Sequence, residues 1–166
     1  GSMENVLSKI DALAADGRWV TIAAADVAWG YRHVCLPESA GPVPVLISAE
    51  LTVAEAGRDQ VRAEAIRVMR ARVGRQPVGL AGAGCFFKNP APQTSAGQLI
   101  DTAGCKGVTV GQAMVSPVHA NFIVNLGGAT ADDVLTLARN VQTAVWQRHR
   151  IRLEPEVRIV GQSADA

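Results

Sequence analysis

Hydrophobic positions along the chain recur at two different intervals, which predict strands in some segments and helices in others. Residues 45–53 alternate between apolar and polar side chains, as in a half-buried strand with one strongly apolar face. Over residues 54–73 the apolar positions recur every three or four residues, which predicts a helix. Thr130 and Asp133 have the spacing of an N-terminal capping pair, before an amphipathic helix that ends near His149.

Shorter elements complete the pattern and indicate the fold class. Strands and helices interleave without regular βαβ units, so we expect an α+β fold with mixed helices and a small, mostly antiparallel sheet in a single compact domain. The shorter predicted elements are a helix with Val6, Ile10 and Leu13 on one face that ends at Gly17, a strand from Trp19 to Ala24, an irregular stretch through Tyr31, Arg32 and His33, a Gly/Ala-rich turn from Gly79 to Gly84, a short helix capped by Ser95, a strand from Ala120 to Leu126, and a last strand from Leu153 to Ile159.

Composition places the chain among globular proteins and argues against several functional classes. Of 166 residues, 48% are hydrophobic and 19% charged, and 16 lysines and arginines against 15 aspartates and glutamates give a net charge of +1. Such a small charge provides no bulk field for nucleic acid or an anionic membrane. No run of about 20 apolar residues is present to cross a membrane. The arginines within residues 54–73 therefore indicate a solvated helix face, with anion binding as the alternative.

Residue spacing argues against two common kinds of site. The three cysteines, Cys35, Cys85 and Cys105, include no C-x-x-C pair, so we expect no disulfide framework, no metal site and a reducing compartment, the cytoplasm. The glycines of residues 79–84 read G-x-x-G-x-G, which is the wrong order for the dinucleotide fingerprint. No Lys-Ser or Lys-Thr follows them, as a P-loop requires.

Three separated segments carry the groups that a reaction through an enol or enolate needs. Residues 84–90 place a thiol, a cation and an amide beside the glycine-rich turn. Residues 153–158 contribute carboxylates, and residues 30–32 contribute a guanidinium. Together these provide a proton donor, a carboxylic acid and a fixed positive charge, although surface loops often hold such residues without catalytic purpose.

The same segments, in this order, resemble the UDP-N-acetylenolpyruvoylglucosamine reductase family, also called UDP-N-acetylmuramate dehydrogenase. The resemblance extends from about Asp26 to Gly161. Its motifs are Gly30-Tyr31-Arg32, Ala83-Gly84-Cys85-Phe86-Phe87-Lys88-Asn89-Pro90, Ala96-Gly97 with Leu99-Ile100, Lys106-Gly107, His119-Ala120-Asn121-Phe122 and Leu153-Glu154-Pro155-Glu156-Val157-Arg158.

This resemblance implies a two-stage redox reaction of bacterial peptidoglycan synthesis. NADPH reduces a bound FAD, and the flavin then passes hydride to the enolpyruvyl double bond of a UDP-sugar. By position in the motifs, Arg32 lies against the substrate carboxylate and Glu156 assists the enol intermediate. Cys85 occupies the position of the acid that protonates this intermediate, which in the family is usually a serine.

A thiol in place of that serine remains a proton carrier. The thiol has a reference pKa of about 8.5, so it loses its proton more readily than an alcohol does. Similar enzymes look able to use either residue. The alternative for Cys85 is a small, buried filler of the core.

The resemblance also implies four substrate-binding residues. Tyr31 belongs to the motif of Arg32, and Asn89 and His119 match positions that face the diphosphate or the sugar. Arg75, in a looser match, corresponds to a basic residue against the diphosphate. The alternative for His119 is a histidine that packs within its loop.

The family's flavin-binding portion precedes all of these motifs, and nothing in residues 1–26 is similar to it. We therefore expect residues 1–25 to be a remnant of that region and residues 26–166 to be the C-terminal substrate-binding domain. The fragment alone is then expected to lack turnover, because FAD needs a deep, largely preformed pocket. Two alternatives remain open: a flavin-free module that binds a UDP-sugar or regulates another enzyme, and a purely structural domain in which the motif residues persist.

Overall fold

The computed structural model describes residues 2–42 and 44–161, and the chain divides into two compact units, Gly1–Val61 and Arg62–Ala166. Helices and small antiparallel sheets occur in the chain together, so the predicted α+β class is confirmed. Within the described residues, no helix is both long and apolar enough to span a membrane.

The first unit is built on a three-stranded antiparallel sheet and a separate hairpin. Its strands are β1 (Leu7–Leu13), β2 (Trp19–Ala23), β3 (Ala28–Gly30), β4 (His33–Cys35) and β5 (Val45–Leu51). The sheet has the order β2-β1-β5, and β3 pairs only with β4. Short 3-10 turns lie at Met3–Asn5, Ala24–Asp26 and Glu38–Ala40, and the small core consists of Leu7, Ile10, Ala12, Ile22, Val27 and Ala40.

The second unit has a four-stranded antiparallel sheet covered by helices. Helix α1 (Arg58–Val73), in which no residue is buried, begins in the first unit and ends in the second. The later elements are β6 (Ala81–Cys85), α2 (Ala96–Thr102), β7 (Thr109–Val110), β8 (Ala113–Val115), β9 (Phe122–Asn125) and α3 (Ala131–His149). The sheet order is β6-β9-β8-β7. Helix α3 packs on β7, β8 and α2, and its buried side chains include Leu137, Val141 and Val145.

Local capping signals were good predictors in this unit. Ser95 accepts a hydrogen bond from the Gln98 backbone N–H and begins α2. Thr130 Oγ1 accepts from the Asp133 N–H at 3.1 Å, and the Asp133 carboxylate accepts from the Thr130 N–H at 2.9 Å. This reciprocal bonding begins α3, and it holds the pKa of Asp133 below its usual range, mainly through the Thr130 N–H. The helix predicted over residues 54–73 forms from Arg58 to Val73, and the helix predicted to end near His149 forms from Ala131 to His149. The strands predicted from Trp19 to Ala24 and from Ala120 to Leu126 form over Trp19–Ala23 and Phe122–Asn125.

The predicted first helix is wrong, because residues 7–13 form strand β1. Ile10 and Ala12 face the core, and β1 pairs in a hairpin with β2. Gly17, predicted to end a helix, instead turns this hairpin with φ +84°, a conformation that glycine adopts without steric cost. Val6, Ile10 and Leu13 share a helical spacing by chance, and long-range pairing with β2 and β5 decides the conformation.

The glycine-rich turn predicted over residues 79–84 is wrong for its last four residues, which form part of strand β6. A Cβ atom at Gly82 would lie 2.9 Å from the Ile123 carbonyl oxygen of the neighbouring strand. Glycine therefore lets β6 and β9 approach closely, which a pattern of apolar side chains cannot signal.

Three further segments differ from the expectation. The stretch through Tyr31 and Arg32 is the turn between β3 and β4 rather than irregular chain. Residues 153–159 contain no strand, and only Pro155 makes an isolated bridge, to Phe87. Strand β5 forms as predicted but is not half-buried: all seven of its residues are exposed.

We expect Thr130→Ala to lower the free energy of unfolding by about 1 kcal/mol, since the substitution removes the side chain that caps α3. Urea unfolding followed by circular dichroism measures this loss. Thr143→Ala is the matched control, because Thr143 is exposed in the interior of the same helix. An equal loss in the two variants would contradict the role of the cap.

Candidate functional site

Cys85 lies at the end of β6, where the strand enters the candidate site. It is half-buried and lies opposite Phe122 in the register of β6 and β9. An irregularity in the pairing separates Gly82 from Cys85. Beyond Cys85 the chain continues into Phe86 and Phe87, both buried, with ring centroids 5.0 Å apart. Burial of these two rings anchors the segment that follows the Cys85 thiol in the core.

Glu156 is brought beside this segment by backbone hydrogen bonds, although about seventy residues separate the two in the sequence. The Glu156 N–H donates to the Phe86 carbonyl at 2.8 Å, and the Lys88 N–H donates to the Glu154 carbonyl at 2.9 Å. Glu156 is half-buried. The predicted acid and the predicted carboxylate thus lie on adjacent, antiparallel stretches of chain.

Asn121 holds the opposite edge of the same segment. Its Oδ1 accepts from the Phe87 N–H at 2.9 Å, and its Nδ2 donates to the Phe87 carbonyl at 2.8 Å. Its backbone carbonyl accepts from the Phe86 N–H at 2.7 Å. The side chain is 3% exposed. Asn121 belongs to the motif of residues 119–122, but no role for it was predicted; the available signal was an amide next to an otherwise apolar strand pattern.

His119 is anchored within the loop that precedes β9. Its Nδ1 accepts from the Asn121 N–H at 3.2 Å, and its ring meets the Phe122 ring edge-on at 4.9 Å between centroids. The backbone N–H of His119 donates to the buried Ser116 hydroxyl. Because Nδ1 accepts, the neutral ring carries its proton on Nε2. His119 therefore packs within its loop, and its Nε2–H can still donate a hydrogen bond.

Asn89 and Arg75 both lie outside the helices and strands of the second unit, Asn89 in the loop between β6 and α2 and Arg75 just after α1. The Asn89 Oδ1 accepts from the Ala96 N–H at 3.0 Å, which ties the loop after Lys88 to the first turn of α2. Arg75 is exposed just beyond α1, where its N–H donates to the Arg72 carbonyl. Asn89 is therefore also a structural residue.

Tyr31 and Arg32 belong to the first unit, at the tip of the β3–β4 hairpin. Both are exposed, and the Arg32 guanidinium carbon lies 5.8 Å from the centroid of the Tyr31 ring. Arg32 has φ +56°, an uncommon conformation for a residue with a side chain. The other candidate residues lie in the second unit, where Cys85, Glu156 and Asn121 share one backbone network.

Neither of two sizeable grooves fits FAD by itself. The groove of the first unit, of about 490 Å³, is lined mostly by apolar side chains, and its polar side-chain groups are the Ser48 hydroxyl and the Trp29 indole N–H. A diphosphate is usually bound by cations or by several N–H groups at a helix N-terminus, and this lining includes no cation. The groove of the second unit, of about 500 Å³, includes one cation, Arg152, together with the carboxylate Glu154.

The glycines of residues 79–84 do not supply a diphosphate site either, because they lead into strand β6 instead of a helix N-terminus. Within the described residues, no three His, Cys, Asp or Glu side chains are grouped so that they could hold a metal ion.

Comparison with known proteins identifies relatives of one kind. Residues 76–160 match the family model described as the C-terminal domain of UDP-N-acetylenolpyruvoylglucosamine reductase. Reductases of that name from Desulfosudis oleivorans and Anaeromyxobacter sp. are 41% and 43% identical, each over 98% of this chain but only 53% and 49% of their own length.

The crystal structure of the corresponding reductase from Thermus caldophilus is also similar. It has a TM-score of 0.78 and 39% identity, and the match covers 94% of this chain and 53% of that one. The chain thus spans about half the length of the relatives it matches.

Proposed function

The chain belongs to the UDP-N-acetylenolpyruvoylglucosamine reductase family through its C-terminal domain, and we propose on this premise that it provides the substrate-binding part of such a reductase. The reaction is the NADPH-driven, FAD-dependent reduction of UDP-N-acetylglucosamine enolpyruvate to UDP-N-acetylmuramate in the bacterial cytoplasm. The observation that carries the proposal is the pairing of Glu156 with Phe86, which brings the carboxylate residue beside Cys85.

FAD, when bound by the flavin domain, would supply the hydride, and three residues of this chain would supply the other chemistry that the substrate needs. Arg32 provides a fixed positive charge for the carboxylate of the enolpyruvyl group. Glu156 assists the enol form of that carboxylate, into which negative charge moves. Cys85 gives its thiol proton to the enol carbon and becomes a thiolate, which water or Glu156 reprotonates.

Four further residues bind the remainder of the UDP-sugar in this proposal. The proton on His119 Nε2 is available to a phosphate or sugar oxygen, since Nδ1 is engaged by the Asn121 N–H. The exposed guanidinium of Arg75 provides a second positive charge for the diphosphate. Asn89 and Tyr31 complete the set, and the Arg32 guanidinium near the Tyr31 ring links Tyr31 to the carboxylate site.

The flavin-binding domain is the partner that this proposal requires. The exposure of all seven residues of β5 supports it, since an exposed apolar edge strand is a surface that proteins normally cover. We propose that residues 26–166 act as the substrate domain and that residues 1–25 belong structurally to the flavin portion.

We expect the chain to be colourless after incubation with FAD and desalting, because neither groove described above fits the cofactor. An absorption spectrum from 350 to 500 nm measures retained flavin. Retained flavin would mean that these residues hold FAD after all. Calorimetric titration with UDP-N-acetylglucosamine then separates the two open functions: tight binding by the colourless chain favours a flavin-free UDP-sugar-binding or regulatory module.

Catalytic roles can be tested in a chimera that joins this chain to the part of the Desulfosudis oleivorans reductase outside the match. We expect Cys85→Ser to keep most of the activity, since serine also carries a transferable proton, and Cys85→Ala to lower turnover about 100-fold. NADPH oxidation coupled to ferricyanide is the control, because this acceptor needs no proton from Cys85. An equal loss in both assays would contradict the assignment.

Glu156→Gln in the same chimera is expected to lower kcat about 100-fold while KM changes less than about threefold. The amide keeps the size of the side chain but not its charge or its ability to transfer a proton. Glu154→Gln is the matched control, because Glu154 is exposed to solvent and its carboxylate makes an ion pair with Lys88, at 3.5 Å. A rise in KM with kcat unchanged would assign Glu156 to binding alone.

A further inference from the structure

We propose that Asn121 is a positioning residue for the pair Cys85 and Glu156: its side chain sets the alignment of the segment from which both candidate groups are held. The role of that pair rests on the proposed function. The role of Asn121 rests on the contacts of residues 85–88, which can be tested without substrate or cofactor.

The segment after β6 is bonded along both of its edges. On one edge, the Asn121 side chain takes the place of a neighbouring strand, because its Oδ1 and Nδ2 satisfy both the N–H and the carbonyl of Phe87. On the other edge, residues 154–156 bond to Phe86 and Lys88. Cys85 begins this segment, and Glu156 is attached to its second edge.

Only an amide satisfies this position fully. A carboxylate would accept from the Phe87 N–H but would repel its carbonyl, and an apolar side chain would leave both buried groups without a partner. Asn121 and Ser116 are the two buried polar side chains of the described chain, and no buried side-chain nitrogen or oxygen atom there lacks a hydrogen bond. A buried amide that makes all of these hydrogen bonds fixes both the direction and the position of the Phe87 backbone.

The consequence for the site is that residues 85–88 cannot rotate or slide while Asn121 holds Phe87. Without these two bonds the Phe86 and Phe87 rings still anchor the segment in the core, but its backbone gains freedom to open locally. Local opening exposes the half-buried thiol of Cys85 and uncouples it from Glu156.

The three cysteines of the chain provide the test. Cys35 is exposed, Cys85 is half-buried and Cys105 is buried, and burial raises the pKa of the Cys105 thiol. Alkylation by iodoacetamide, followed by peptide mass spectrometry, measures all three rates in one sample. We expect Asn121→Ser to raise the rate at Cys85 about threefold or more, with Cys35 unchanged and Cys105 still protected.

Asn125→Ser is the matched control, because Asn125 ends strand β9, which begins directly after Asn121, but its Oδ1 accepts from the N–H groups of Gly127 and Ala129, away from Cys85. This variant is expected to leave the Cys85 rate unchanged. An unchanged Cys85 rate in Asn121→Ser, with Cys105 protected, overturns the proposal. So does an equal increase in the two variants.

If the Asn121→Ser variant unfolds, Cys105 will be alkylated as fast as Cys35. The proposal is then tested in the unsubstituted chain at low concentrations of urea. There, the opening that exposes the Phe87 N–H to hydrogen exchange and the opening that exposes Cys85 to iodoacetamide are expected to have the same urea dependence. Different dependences overturn the proposal.

Failure of the proposed function would give a different result: unchanged kinetics of the Cys85 and Glu156 variants in the chimera, in which Asn121 is intact. The chimera with Asn121→Ser adds a further readout: kcat is expected to fall about tenfold, with KM and ferricyanide reduction unchanged.

Discussion

The hydrogen bonds made by residues 86–88 along both edges determine where the candidate groups of the second unit lie. These residues are not part of a regular strand, yet all three of their N–H groups and the carbonyls of Phe86 and Phe87 have partners, from Asn121 on one side and from residues 154–156 on the other. Because the Phe86 and Phe87 rings are buried at the same place, apolar burial and backbone pairing reinforce each other. The site therefore depends on the core of its own unit for its geometry.

How far the sequence could predict this structure depended on the range of the interactions involved. The capping pairs at Ser95 and at Thr130 with Asp133 involve residues three apart, and both were predicted correctly. Residues 7–13 have a spacing that suits a helix, but pairing with two distant strands makes them β1. Local patterns cannot represent such competition.

The candidate site shows the same division. The order of the motifs identified Cys85 and Glu156. The sequence could not show that their two segments pair at an isolated bridge between Phe87 and Pro155, because proline lacks the N–H that a regular strand uses and does not indicate strand pairing. Asn121 was missed because its partners are the backbone groups of Phe87, which leave no trace in the side-chain pattern.

Gly82 shows how one close approach restricts change in a site that it does not touch. Any side chain there would meet the Ile123 carbonyl at 2.9 Å from its first atom and would push β9 away from β6. Strand β9 also carries Phe122, which lies opposite Cys85. Tolerance to mutation in this unit is therefore uneven. Exposed helix positions can accept many substitutions, whereas Gly82, which has no side chain and takes no part in the chemistry, is among the positions that can least be replaced.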